Sequence, residues 1–226
     1  MRPRSHGLPR LHDIDAVVFD LDGVLADSET IHFRAANQVL SRHGAAISED
    51  DFRVFIGLSE KASWQAWQRR YRLPETIDRL VEANMQAQLR EIAAGVPAIP
   101  AAVELARRLH ASGVRLAIAS SSTRPFIDAL LAAIGLDAVF AVRVSGEDPD
   151  IREGKPAPDV YLAAAARLGA QPGACVAIED SAPGVTAAKR AGMTCIAVPN
   201  RWTAHQNFSE ADAVLQSLRY FPLLVL

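Results

Sequence analysis

Short, nearly continuous apolar runs punctuate the chain: IDAVVFD (14–20), VRLAIAS (114–120), VFAVRVS (139–145), CVAIED (175–180) and TCIAVP (194–199). Strands covered on both faces of a parallel sheet read this way, because neither set of side chains meets water. Between these runs lie helical patterns with a shared grammar. The stretches 100–113, 124–135, 157–169 and 182–192 carry Pro near the start and Gly at the end. Proline tolerates the first turn, where its missing N–H is not needed, and glycine takes the left-handed turn that stops a helix. Strand and helix alternating from residue 100 onward predict right-handed crossovers. The expected fold class is therefore α/β, a doubly wound parallel sheet of Rossmann-like form with helices on both faces.

Residues 29–96 break the alternation. They read as helix after helix, with Ile31, Ala35 and Val39 on one face of the first and Ser28 as its expected N-cap. An inserted small all-helical domain is expected over 29–96, with the α/β core built from 13–28 and 97–226. Residues 1–12 are expected to form a poorly ordered arm. The final apolar stretch, 220–226, is expected to be a last core or edge segment.

Composition narrows the class without naming a chemistry. The 226 residues are 50% hydrophobic and 22% charged, with a net charge of −2. That is an ordinary soluble balance, with no basic field to draw nucleic acid or an anionic membrane. In SWQAWQRRYR, Trp64, Trp67 and Tyr71 recur at helical spacing, so they are expected inside the helical block, with Arg69, Arg70 and Arg72 solvated. No apolar run is long enough to span a bilayer. Asp13, Asp15, Asp20 and Asp22 interrupt any would-be secretory signal, so a cytoplasmic protein is expected. Cys175 and Cys195 each fall in an expected core strand and read as two buried thiols of a reducing compartment.

The chemistry lies at the strand ends. In an open parallel sheet, ligands bind outside the carboxyl ends of the strands. The first strand ends on Asp20, followed by Asp22; the second on Ser120, Ser121 and Ser122. Lys155 follows the next, and Glu179 and Asp180 end the fourth. Carboxylates without imidazole or thiolate companions suit a hard cation such as Mg²⁺. A lysine, hydroxyls and helix N-terminal amides suit a phosphoryl dianion. Together they describe phosphoryl transfer, in which one carboxylate can be the nucleophile and a second can move the proton.

DLDGVLADS (20–28), ASSS (119–122), GKPAPDVY (154–161) and IEDSAPGVTAAKRAG (178–192) resemble, in order, the four motifs of the haloacid dehalogenase superfamily. The helical insert resembles that superfamily's small cap, and the β-phosphoglucomutase-like phosphatases are the most similar subgroup. The resemblance implies Asp20 as nucleophile and as metal ligand. It makes Asp22 the acid/base, with its backbone carbonyl on the metal. Ser120 and Lys155 would hold phosphoryl oxygens, with Ser121 beside them. Asp180 would ligate Mg²⁺, and Glu179 would ligate it or one of its waters. Gly23 would allow the sharp turn after the strand. Asp27 is expected to be structural, bonding backbone amides.

The same resemblance places substrate contacts on the cap at His32 and in the loop FIGLSEKAS, through Gly57, Leu58, Ser59, Glu60 and Lys61. A sugar-phosphate mutase grips its second phosphate there with basic residues. Here those positions hold Ile56 and Glu60, and Lys61 on a helix should point elsewhere. The expected activity is thus a Mg²⁺-dependent phosphatase of a small phosphorylated metabolite, a sugar phosphate first, acting as a monomer. A β-phosphoglucomutase-type mutase is the alternative. A catalytically silent binding protein is disfavoured because no motif residue is missing. Asp22 argues against phosphonate hydrolysis, and Asp180 against dehalogenation.

Overall fold

The structure is a computed structural model that describes residues 14–56 and 58–221. The expected arm at 1–12, the loop residue Gly57 and the end of the C-terminal segment, 222–226, lie outside the described residues.

After β1 (Ala16–Phe19) come four helices: α1 (Glu29–Ser41), α2 (Glu49–Arg53), α3 (Glu60–Tyr71) and α4 (Ile77–Ala94). The hydroxyls of Ser48, Ser59 and Thr76 accept the amides of Asp51, Ala62 and Arg79, at 3.1, 3.3 and 3.4 Å. Each therefore caps the start of a helix. The apolar faces of the four helices close on one cluster that includes Val39, Phe52, Trp64, Trp67 and Leu80. Trp202, from the core, enters the same cluster and joins the helical block to the sheet body. Burying Trp64 and Trp67 stabilises the block by about 4 kcal/mol each.

Then follow α5 (Pro100–Ala111), β2 (Arg115–Ser120), α6 (Arg124–Ala133), β3 (Val142–Ser145), α7 (Asp159–Leu168), β4 (Cys175–Glu179), α8 (Ala182–Arg190), β5 (Thr194–Ala197) and β6 (Ala213–Val214). The sheet order is β3-β2-β1-β4-β5-β6, and every pairing is parallel. The chain winds outward from β1 to one side, then to the other. This doubly wound α/β sheet opens its crevice at the carboxyl ends of β1 and its neighbours.

Alternate residues of the central strands feed opposite cores. Val17, Phe19, Ile118 and Ile178 meet α5 and α6, while Ala16, Val18, Ala117 and Ala177 meet α7 and α8. Two differences from the sequence reading are local. The run 139–145 pairs only from Val142, because the Val139 amide turns back to the Leu136 carbonyl. The Phe140 ring then packs edge-on against Phe19, 5.4 Å between centroids. The two-residue strand β6 has too short an apolar run to announce itself. Cys175 and Cys195 are free and buried, and burial pushes the Cys175 thiol up to about 11 and that of Cys195 higher still. No helix among the described residues is long and apolar enough to cross a membrane.

Candidate active site

Three carboxylates converge where the sheet winding reverses. One oxygen from each of Asp20, Glu179 and Asp180 lies within 4.8 Å of the others, and all three residues are buried. Asp20 follows β1 directly, its amide still on the Ile178 carbonyl at 2.9 Å. Lys155 Nζ donates to Asp20 Oδ1 at 2.5 Å and to Glu179 Oε1 at 2.6 Å. The Tyr161 hydroxyl adds a 2.7 Å bond to the same Glu179 oxygen. Glu179 Oε2 accepts the amides of Asp180 and Ser181 and the Ser181 hydroxyl, at 3.0, 3.2 and 3.1 Å. Glu179 thus fastens the lysine to the start of α8. Gly184 makes room for it, since a Cβ there would lie 1.9 Å from Glu179 Oε1.

Asp180 Oδ2 accepts from Asn200 Nδ2 at 2.6 Å, and the same amide reaches the Gly23 carbonyl at 3.3 Å. Gly23 turns with φ +73°, and a Cβ on it would stand 2.2 Å from Asp180 Oδ2. Its smallness serves the approach of Asp180 as well as the turn.

Burial pushes the Asp20 carboxyl well above the usual carboxylate range; Lys155 counters this, while Glu179 and Asp22 add to it. Asp180 is raised likewise by burial, then by the Asp20 and Glu179 charges. One ammonium does not offset three carboxylates. An all-oxygen donor set that resists ionisation for want of positive charge fits a hard divalent cation.

Asp22 lines the same cavity with a separate set of partners. Its Oδ1 accepts from the Ser28 hydroxyl at 2.6 Å and meets His32 Nε2 at 2.9 Å. Its Oδ2 accepts from the Ser120 and Ser122 hydroxyls at 3.1 and 2.8 Å. Burial alone would raise the Asp22 carboxyl, but the His32 charge and these bonds bring it down to about 2. Burial works against charge on His32 too, yet Asp22 lifts it to about 9. The ring stacks on Phe126, 4.5 Å between centroids.

Several expectations are corrected by this geometry. The acids do have an imidazole companion, because the first turns of α1 carry His32 back over Asp22. The Ser28 hydroxyl makes no cap bond with α1, since it is spent on Asp22. Asp27 accepts from the Thr30 hydroxyl and the Trp202 indole, at 3.1 Å each, rather than from backbone amides. Ser120 is fully buried against Asp22 and accepts the Ser122 amide at 3.0 Å; Ser121 and Ser122 face the cavity in its place.

That cavity, about 100 Å³, lies between the strand ends and the helical block, with Asp20, Lys155 and Asp180 on the core side. Leu58 and Glu60 face it from the cap. Ser59 and Lys61 do not: the Ser59 hydroxyl caps α3, and Lys61 points to solvent, 4.0 Å from Asp78. Gly57 belongs to the same loop but falls outside the described residues.

Glu29, Asn84 and Gln88 also line the cavity, and sequence reasoning missed all three. Burial, with Asp22 and Asp27 nearby, raises Glu29 to about 7. Asn84 Nδ2 donates to Glu60 Oε1, and the Gln88 amide stands 2.9 Å from His32 Nδ1. The available signal was phase: Asn84 and Gln88 share the buried stripe of α4 with Leu80, Ala87 and Ile92.

Comparison with known proteins gives the family. The haloacid dehalogenase-like hydrolase family matches residues 14–192, and this chain belongs to it. Protein CbbY of Rhodobacter capsulatus is 35% identical, over 88% of this chain and 92% of its own. A Drosophila melanogaster protein named "Probable pseudouridine-5'-phosphatase" is 33% identical, over 93% of each chain. The crystal structure of a CbbY variant from Rhodobacter sphaeroides in complex with xylulose-(1,5)bisphosphate superposes with a TM-score of 0.84. It is 31% identical and is matched over 91% of this chain and 95% of that one. Within the hydrolase family the chain stands with the phosphatases, enzymes that hydrolyse phosphoric monoesters.

Proposed function

We propose that this protein is a Mg²⁺-dependent phosphatase of a small sugar phosphate, working through an aspartyl phosphate on Asp20. The observation that carries this reading is the meeting of Asp20, Lys155 and Asp180 at one end of a cavity capped by helices. The relatives that act on or bind phosphorylated metabolites support it.

Asp20 and Asp180 would hold the ion, with Glu179 bound to one of its waters because its own oxygens are already engaged by five donors. When bound, Mg²⁺ supplies the positive charge that offsets the carboxylates and the phosphoryl oxygens. Asp20 attacks phosphorus, the bond to the leaving oxygen breaks, and Asp22 gives that oxygen its proton. Water then attacks the phosphorus, gives a proton to Asp22, and frees Asp20 and inorganic phosphate. Asp22 is ionised in the arrangement seen, so its acid step requires it to take up a proton and leave its His32 and Ser28 partners. At about 100 Å³ the cavity is smaller than the several hundred Å³ usual for small-ligand pockets, and core and cap both line it. Movement of the cap against the core would widen it for substrate, and closing would exclude bulk water.

The test is phosphate release from a panel of phosphorylated metabolites, with isomerisation of glucose 1-phosphate followed in parallel. Release that stops with EDTA and with Asp20→Asn is expected. Turnover retained by the Asp20→Asn enzyme would refute the nucleophile, and isomerisation without release would establish the mutase instead.

A further inference from the structure

We propose that the cap-side wall of the cavity recognises a neutral, hydroxyl-bearing end of the substrate and turns away a second phosphate, with Glu60 as the deciding residue. The proposal rests on the phosphatase reading above and adds to it the class of group held opposite the reacting phosphate.

The wall is made by two helix faces. Glu60, Trp64 and Trp67 are spaced 4 and 3 apart on α3, and Asn84 and Gln88 are 4 apart on α4. Such spacing stacks side chains on one face. All five line the cavity that reaches Asp20. The two indole rings meet edge to face, 5.0 Å between centroids.

Three of their polar atoms are buried without a well-formed hydrogen bond: Trp64 Nε1, which comes within weak reach of the Glu60 carboxyl, Trp67 Nε1 and Asn84 Oδ1. Trp64, Trp67 and Asn84 are 0%, 3% and 3% exposed. Buried donors and acceptors are almost always satisfied, so unpaired ones on residues that line a cavity point to a ligand. The Glu60 carboxyl is bonded by the Asn84 amide, with Gln88 Nε2 at 3.4 Å, the Trp64 indole and the His32 charge beside it, and forms no ion pair among the described residues, His32 being paired with Asp22. Lys61 gives it no cover, being 63% exposed.

The mixture selects the ligand. The wall offers two N–H donors, one amide oxygen and one carboxyl. A phosphate could accept from the indoles but meets Glu60 and Asn84 Oδ1 acceptor to acceptor. An ammonium could donate to Glu60 but has nothing to accept from the indoles. A hydroxyl does both, accepting from an indole and donating to a carboxylate or amide oxygen. A sugar carries several.

The experiment compares kcat/KM within each enzyme. Hexose and pentose monophosphates are set against analogues deoxygenated at the carbon farthest from the phosphate, and against the matching bisphosphates. For the natural enzyme we expect a preference of about tenfold or more for the hydroxylated monophosphate over its deoxy analogue. In Glu60→Gln that preference should shrink severalfold, and Glu60→Arg should shift selectivity toward the bisphosphate. Ratios taken within one enzyme cancel any general loss of folded protein. If neither variant folds, the natural enzyme's own ratio decides. Equal rates on hydroxylated and deoxy substrates, or a preference for bisphosphates, would overturn the inference while leaving the phosphatase standing. Release of phosphate from no monoester would sink both together.

Discussion

Lys155 and Asp20 stand 135 positions apart in sequence, yet the ammonium of one lies 2.5 Å from the carboxylate of the other, both buried. The sheet makes this meeting, by ending β1 beside the loop that enters α7. Once buried, the lysine neutralises part of a three-carboxylate cluster, and those acids hold its proton in turn. Lys155→Met should therefore do more than weaken phosphate binding. Removing one partner of a buried ion pair strands the others, at a cost of about 3 kcal/mol or more. Urea unfolding at pH 7 without metal should show that loss, and it should narrow at acid pH as the carboxyls protonate. Unchanged stability would mean that the pair is worth nothing net.

Gly184 is the least obvious support of the same cluster. It lies within α8, where alanine would ordinarily favour the helix by about 1 kcal/mol. Its missing Cβ instead leaves the space that the Glu179 carboxylate fills. Gly184→Ala should reverse the usual sign, lowering stability by about 2 kcal/mol and loosening Lys155 through Glu179. Chemical denaturation measures the first effect and kcat the second. A variant more stable than the parent would show that Glu179 can move aside freely.

The His32–Asp22 pair gives a pH signature of its own. His32 is held at about 9 against an ordinary 6.5, so its stabilisation is complete below pH 6.5 and disappears as pH rises through 9. Asp22, at about 2 against 3.8, contributes above pH 3.8 and loses its contribution as pH falls through 2. Comparing the parent with His32→Gln in metal-free buffer should give a stability difference on the order of 2 kcal/mol between pH 4 and 6.5, fading toward pH 10. A difference that stays flat across that range would show that packing on Phe126, not charge, is what the histidine supplies.

The sequence exposed some of this plainly and hid the rest, for physical reasons. Asp20, Glu179 and Asp180 were legible because a carboxylate at the end of an apolar strand is conspicuous, and parallel winding brings all strand ends to one rim; Lys155, ten residues beyond β3, was marked instead by the GKPAP stretch that leads into α7. The partners of Asp22 were not legible. Ser28 reads as a helix cap, and only the path of the chain from β1 into α1 shows its hydroxyl and the His32 ring folding back on Asp22. Tyr161 is hidden in an apolar helix, where its ring packs as any core aromatic would and only its hydroxyl reaches Glu179. Asn84 and Gln88 look like solvent-facing residues because amides usually are. Their burial depends on α3 lying across them, which is a tertiary fact.

Metal binding should be visible in stability before any substrate is added. Asp20 and Asp180 resist ionisation in the metal-free protein, first through burial and then through neighbouring carboxylates, Glu179 and Asp22 acting on Asp20, and Asp20 and Glu179 acting on Asp180. A carboxyl raised in this way favours the folded state while it is protonated and penalises it as pH climbs and the proton must leave. A divalent ion needs the same oxygens unprotonated, so proton and metal compete for them. Mg²⁺ should accordingly raise the unfolding temperature, and by more at pH 8 than at pH 5. A ligand at 100 times its dissociation constant adds about 2.7 kcal/mol to the folded state. Asp180→Asn should abolish most of the shift while leaving a folded protein, since its amide can still meet Asn200. Thermal unfolding with and without Mg²⁺ at the two pH values is the measurement. A shift of the same size at both, or one that survives Asp180→Asn, would place the ion somewhere other than this cluster.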